Sequence, residues 1–403
     1  MSNVRHFDWV LFTVIFVLIA ISVPVVLSAG VGKAISQHSA EATRGVLYDQ
    51  GVRVIAALVF LFLGMIIPYR YLGNATIHLS WKKRTQESEP MNIPVAKILL
   101  WGTVLVLVLV LFMPKINNTH RWFSFAGVTF QPSEFARYVL IIFLAWRLTQ
   151  KSEYDIGNFV WGFLPRLLPV MLIVGLIIIE PHLSVSLIIL GLSFVMFFFA
   201  RARLTHLGTI VTLLLLSSFV MYQQFDYIKD RIDTKFSNNP RVLKAGRYQI
   251  EQSLLAFGTG GFLSFKPGQS KQRDLFLPEA KGDFVYAIIG EEYGFVGTMF
   301  IVSLFLLLVY RGTRIALSTQ DEFAKLLAIG IVTSLGIQAF VNMAVALDVS
   351  FLTGLPMPFI SHGGTSLLVS SFAVGVVLNI SAHAPKNNEA NDDDEEEYSE
   401  NEE

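Results

Sequence analysis

The sequence predicts an all-α polytopic membrane protein of about ten transmembrane helices, with a large extracytoplasmic loop between the seventh and the eighth. Composition is the first ground. Of 403 residues, 53% are hydrophobic and only 15% charged, and a soluble domain of this length could not cover so much apolar surface. The second is a series of apolar runs long enough to cross a bilayer, near residues 8–29, 53–71, 95–113, 133–149, 162–179, 183–200, 203–224, 284–310, 323–347 and 363–382. The third is the alternation of charge between those runs.

The first run, Asp8 to Ala29, is too long for a signal-peptide core, and Ser28-Ala29-Gly30 is a weak cleavage site, so a retained first span is expected. Glu180-Pro181-His182 divides the fifth and sixth runs by a tight turn. The basic loops Trp81–Arg84, Arg147 with Lys151, Arg201–Arg203 and Arg311–Arg314 fall on one side, together with both termini. By the positive-inside rule that side is cytoplasmic. Residues 30–52, 114–132, 225–283 and 348–362 are then outside. The loop 225–283 carries ten Lys/Arg against seven Asp/Glu, and a basic outward loop beside a membrane suits an anionic ligand.

Two units are expected: a membrane domain over 1–385 and an acidic, disordered cytoplasmic tail over 386–403, which holds ten acidic residues and one lysine. With no cysteine in the chain, disulfides, thiolate nucleophiles and cysteine metal sites are excluded. Serine-hydrolase, zinc and nucleotide-binding signatures are missing too, which argues against ATP-driven chemistry.

The most informative stretch is Lys281 to Gly297. A carboxylate at membrane depth costs several kcal/mol and marks a functional site by default. At about 100° per residue, Asp283, Ala287, Gly290, Gly294 and Gly297 share one helix face, with Glu291 at its edge and Glu292 pointing away toward another partner. Asp283 equally suits a helix N-cap, and both readings stand on this segment alone. Three further segments gather polar groups on the outer side. His120-Arg-Trp-Phe123 is followed by Gln131-Pro-Ser-Glu-Phe-Ala-Arg137, in which Pro132 suits a first helical turn and Glu134 can pair with Arg137. Thr353 to Ser366 holds prolines and glycines that cannot continue a helix, so a broken segment is expected there, presenting Ser361 and His362. Arg247-Tyr-Gln-Ile-Glu-Gln-Ser253 opens an amphipathic stretch in the outer loop, with Lys271, Arg273 and Lys281 beyond it.

These pieces resemble the FtsW/RodA family, the shape, elongation, division and sporulation proteins of bacteria. The resemblance is carried by Arg121-Trp122, Gln131-Pro-Ser-Glu134, Tyr248-Gln249 with Gln252-Ser253, Leu277-Pro-Glu279, Asp283-Phe284, Gly290-Glu-Glu292, and Gly354-Leu-Pro-Met-Pro-Phe-Ile-Ser361 before Gly363-Gly364. It implies a peptidoglycan glycosyltransferase of the bacterial cytoplasmic membrane. The substrate would be lipid II, an undecaprenyl-pyrophosphate-linked disaccharide peptide, polymerised at the outer face. The implied partners are a class B penicillin-binding protein and other divisome or elongasome proteins, and Ser270 to Ala280 looks more like the division branch. Asp283 takes the catalytic position. Arg121, Gln131, Ser133, Glu134, Arg137, Arg247, Gln252, Lys271, Glu291, Ser361 and His362 are the substrate-binding candidates; no cofactor is assigned, with a divalent cation, Mg or Mn, as a candidate only. The chain departs from the family pattern at Arg137 (usually Lys), Lys281-Gly282 (usually His-Thr), His362 (usually Tyr) and His182 (usually Asp). Rival readings are a lipid II flippase and a scaffold that only recruits a penicillin-binding protein. Charges gathered at the outer mouth rather than near the midplane favour the enzyme over the flippase.

The sidedness is testable because the chain has no cysteine of its own. Single cysteines replacing Ser237 and Asn391 are expected to react with an impermeant reagent in intact cells at position 237 only. The reverse pattern means the topology is inverted.

Overall fold

A computed structural model describes residues 7–36, 40–73, 75–79, 91–114, 120–125, 128–150, 156–180, 182–224, 229, 246–268, 270 and 282–383. The basic loop Trp81–Arg84, Lys151, Lys271, Arg273, Lys281 and the acidic tail lie outside these described residues.

The fold is a helical bundle. Its elements are α1 (Trp9–Ser36), α2 (Ala40–Ile66), the one-turn α3 (Arg70–Gly73), α4 (Val95–Val110), α5 (Pro132–Thr149), α6 (Leu164–Ile179), α7 (Leu183–Phe199), α8 (Leu204–Gln224), α9 (Gly246–Gly260), α10 (Val285–Ser318), α11 (Glu322–Ala346) and α12 (Gly364–His383). A π-helical turn, Phe159–Phe163, leads into α6. Among the described residues, seven helical segments are long and apolar enough to cross a membrane, and α4 and α7 are shorter apolar helices. The tenth expected span, α5, runs 18 residues and carries Glu134, Arg137 and Arg147. All ten predicted runs are therefore helical, and the protein is a multi-pass membrane protein.

Packing sorts these helices into a centre and a periphery. The best apolar windows of α11 and α12 are 78% and 83% buried, against 17% for α2 and 18% for α8. α11 packs on α5, α7, α10 and α12, and α12 also packs along α2. At the end where α10 meets α11, Asp8 pairs with Arg311 at 2.7 Å, and the Asp321 carboxylate caps α11 by accepting from the backbone N–H of Phe323 at 2.9 Å.

Four features depart from the expectation. Two short antiparallel hairpins appear, β1 (Thr76–Leu79) with β2 (Met91–Pro94) and β3 (Phe123–Phe125) with β4 (Val128–Phe130). Strands of three or four residues carry too few alternations to stand out from loop sequence. α1 and α2 reach into the stretch assigned to an outer loop, and α10 continues through Arg311 and Arg314 to Ser318. Part of the 225–283 loop is α9, which lies along α10. Lastly, the small-residue face of α10 is interrupted. Gly294 has φ 68° and ψ −164°, outside helical space and outside what a side chain readily adopts. The Phe295 and Val296 N–H groups released by that break donate to the carbonyls of Gly261 and Phe262 at 2.9 and 3.2 Å. Close approach on this face is real but is filled by the chain itself. A Cβ at Gly260 would lie 1.9 Å from the Gly290 carbonyl oxygen.

Candidate active site at the mouth of the bundle

The N-terminus of α5 forms one wall. Pro132 sits in its first turn, and the Gln131 backbone N–H donates to Thr365 Oγ1 at 3.2 Å. Gln131 Nε2 and Ser133 Oγ both meet His182 Nδ1, at 3.3 and 3.2 Å. An amide NH2 can only donate, so Nδ1 is the acceptor. His182 thus joins the α6–α7 turn to the start of α5.

Below this wall lies the Glu134–Arg137 pair anticipated from spacing. Nη2 of Arg137 reaches Glu134 Oε2 at 3.0 Å, and neither side chain is more than 3% exposed. The guanidinium also approaches Tyr138, whose hydroxyl lies 3.0 Å from Ser370 Oγ on α12. Among the described residues, Nε and Nη1 of Arg137 have no hydrogen-bond partner. This is an enclosed ion pair, not a rim contact.

Arg121 stands higher and is half-buried, donating from Nε to the Glu180 backbone carbonyl at 2.8 Å. The Glu180 side chain is fully buried, and its carboxyl oxygens have no hydrogen-bond partner among the described residues. Burial pushes this carboxyl up from 4.5 to about 8, with Arg121 opposing the shift. The raised value favours the protonated form of Glu180 near neutral pH. Sequence reading treated Glu180 only as part of a turn. A carboxylate directly after the apolar Leu176–Ile179 was the signal available.

The opposite wall is the broken segment. Its backbone turns through Gly354 at φ 68° and through Phe359 at φ 64°, a bulky residue in the left-handed region that only surrounding contacts can hold there. Ser184 Oγ donates to Thr353 O at 2.6 Å, and Ser361 Oγ accepts from Met357 N at 2.8 Å while donating to Gly282 O at 2.6 Å. Ser361 thereby ties this segment to the turn that carries Asp283. Asp283 is half-buried and two residues before α10, whose N-cap position is Phe284 with no side-chain cap bond. Beside this wall an apolar cavity of about 380 Å³ lies among α7, α8, α11 and residues 350–355, with Leu355 in its lining.

The remaining predicted residues have other settings. Ser270 donates to Glu291, while Glu292 accepts from Ser28 on α1 and from Gly268 N–H at 3.0 Å. Both carboxylates fasten the loop rather than joining Asp283. His362 faces α2, meeting Gln50 Oε1 at 3.2 Å and Asp49 Oδ2 at 3.4 Å. Arg247 pairs with Glu251 at 3.0 Å on the exposed side of α9, and half-buried Gln252 follows it, beside Ser253, which donates to Ala346 O at 2.7 Å. Among the described residues no group of three or more His, Asp or Glu side chains could hold a metal ion.

Fold and site define a multi-pass helical membrane protein with a buried Glu134–Arg137 pair and an irregular segment tied to the turn that carries Asp283. The chain belongs to the cell cycle protein family of FtsW, RodA and SpoVE, whose profile matches residues 8–386. Among its relatives is the probable peptidoglycan glycosyltransferase FtsW of Geobacter metallireducens, 38% identical over 326 residues, covering 80% of this chain and 85% of that one. Stage V sporulation protein E of Bacillus subtilis is 38% identical over 283 residues, covering 70% and 76%. The fold superposes on a chain from a peptidoglycan synthase complex that coordinates polymerization and crosslinking, with TM-score 0.71, 26% identity, and coverage of 94% and 99%. A variant of the rod shape determining protein RodA of Thermus thermophilus matches with TM-score 0.66 and 25% identity, covering 94% and 99%.

Removing Arg137 strands Glu134 in a water-poor site, and breaking a buried pair this way costs about 3–5 kcal/mol. Arg137→Ala is expected to lower abundance and activity sharply, and Arg137→Lys only mildly, in membrane yield and polymerisation assays. Glu180 yields a pH dependence. Its folded-state value is raised, so its contribution to stability is full below 4.5 and is lost as pH climbs to about 8. The melting temperature of Glu180→Gln is therefore expected to fall less than that of the parent across this window.

Proposed function

We propose that this chain polymerises lipid II into glycan strands at the outer face of the cytoplasmic membrane, with Asp283 as general base. The chain is a peptidoglycan glycosyltransferase, and the observation supporting its mechanism is the placement of Asp283. The residue stands outside the cap position of α10, half-buried, on a turn bound to the broken segment. There it can face a sugar while the lipid tail stays among apolar groups.

In the reaction, the acceptor hydroxyl gives its proton to the Asp283 carboxylate as its oxygen attacks the anomeric carbon of the donor sugar. The new C–O bond forms as the bond to pyrophosphate breaks, and undecaprenyl pyrophosphate departs with the electron pair. Attack opposite the leaving group inverts that carbon. A positioned base contributes about 10²–10⁴-fold. Arg121 at the mouth meets the pyrophosphate, and enclosed Arg137 adds positive potential from beneath. Lys271 lies outside the described residues and is a further cation candidate by sequence alone. The apolar cavity lined by Leu355 suits the first isoprene units.

Both termini lie in the cytoplasm on this reading, and residues 1–385 form the catalytic unit. A class B penicillin-binding protein then cross-links the strands as they emerge, within the division machinery rather than the elongation machinery.

Asp283→Asn preserves size and removes basicity. It is expected to lower polymerisation of purified lipid II more than 100-fold, while lipid II binding and melting temperature stay near those of the parent. Full glycan synthesis by a well-folded Asp283→Asn protein would sink the assignment.

A further inference from the structure

We propose that Asn342, on α11, is a positioning residue for Asp283, holding the catalytic turn against the broken segment. The inference rests on the reading of Asp283 as the base. Asn342 is 1% exposed and four residues from the end of its helix. Its Nδ2 donates to two backbone carbonyls at once, Asp283 O at 2.9 Å and Leu355 O at 2.7 Å. The orientation of the amide is set by chemistry, since an oxygen facing two carbonyl oxygens would only repel them. Among the described residues, Oδ1 has no hydrogen-bond partner. A buried acceptor left unsatisfied is unfavourable, so this side chain is kept for its two N–H groups.

Among the described residues, those two bonds do something that no backbone pairing does. The turn Gly282–Phe284 precedes α10, so its carbonyls are not in helix-interior positions, and the segment over Leu355–Ser361 is neither helix nor strand. Asn342 clamps one to the other, and Ser361 adds a parallel tie one residue away through Gly282 O. Both bonds act on the backbone at or beside Asp283, so they govern where its carboxylate sits without touching substrate. One turn down α11, Gln338 makes a superficially similar pair of bonds, to Pro356 O at 2.8 Å and Ser366 Oγ at 3.3 Å. These join the broken segment to α12 and do not reach the Asp283 turn, so Gln338 serves as an internal comparison.

A displacement of about 1 Å in a catalytic group can cost on the order of 10²-fold. In detergent-purified full chain with lipid II, Asn342→Leu is expected to reduce kcat about 10–100-fold with KM and lipid II affinity held within about threefold. Gln338→Leu is expected to lower the melting temperature at least as much while keeping kcat within about threefold of the parent. Wild-type kcat in a folded Asn342→Leu protein overturns the proposal. So does a fall in kcat that tracks melting temperature equally in the two variants, which would mark both as structural only. If Asn342→Leu does not fold, Asn342→Asp decides. It keeps the shape but offers at most one proton to two carbonyls. A kcat loss at constant KM upholds the clamp, and wild-type kcat overturns it. Asp283→Asn run in parallel separates the layers. An active Asp283→Asn protein removes the base and the clamp together, whereas an inactive one beside a fully active Asn342→Leu removes the clamp alone.

Discussion

Backbone carbonyls that belong to no helix must still find donors at membrane depth, and most of this structure follows from how that is done. Pro356 and Pro358 prevent a helix between α11 and α12. Each unpaired polar group there costs several kcal/mol in hydrocarbon. The donors come from neighbouring helices: Ser184 of α7 for Thr353, Asn342 of α11 for Leu355, and Gln338 of α11 for Pro356. Such bonds work only if α7 and α11 lie at one depth and rotation relative to the segment. The central position of α11 and the strained φ of Phe359 are both consequences, because the segment is held from several sides at once.

The same logic separates the two arginines. Arg137 is enclosed, so its charge must be matched locally, and Glu134 three residues earlier on the same helix face does so. Arg121 is half-buried and donates to the Glu180 backbone carbonyl, while burial pushes the Glu180 carboxyl up to about 8. Without Glu134 the Arg137 charge would sit uncompensated inside the bundle.

The outer loop is coupled to α10 by backbone as well as by side chains. The break at Gly294 exposes N–H groups that the Gly261 and Phe262 carbonyls satisfy, and Glu291 and Glu292 accept from Ser270, Gly268 and Ser28. The helix that begins beside Asp283 is therefore gripped two to three turns later by the loop preceding it. The loop and the turn bearing Asp283 form one mechanical unit.

Much of this was legible in the chain. Bilayer thickness demands runs of fixed length, so the ten helices could be placed by counting apolar residues. Glu180-Pro181-His182 and the prolines after Thr353 marked breaks because proline acts locally. The Glu134–Arg137 pair followed from helical spacing, and Asp283 stood out because charge beside an apolar run is costly. The short hairpins, the pairing of α9 with α10 and the break at Gly294 were not legible, and neither was the capture of His362 by Asp49 and Gln50 on α2. Nor was Asn342 distinguishable from any other asparagine in a helix. Each of these depends on which distant segment lies opposite, and a periodic pattern along one segment carries no information about its partner. Local chemistry determined the elements and singled out the Asp283 carboxylate. Tertiary structure alone decided what holds that carboxylate in place, because its supports come from residues about sixty and eighty positions away in the chain.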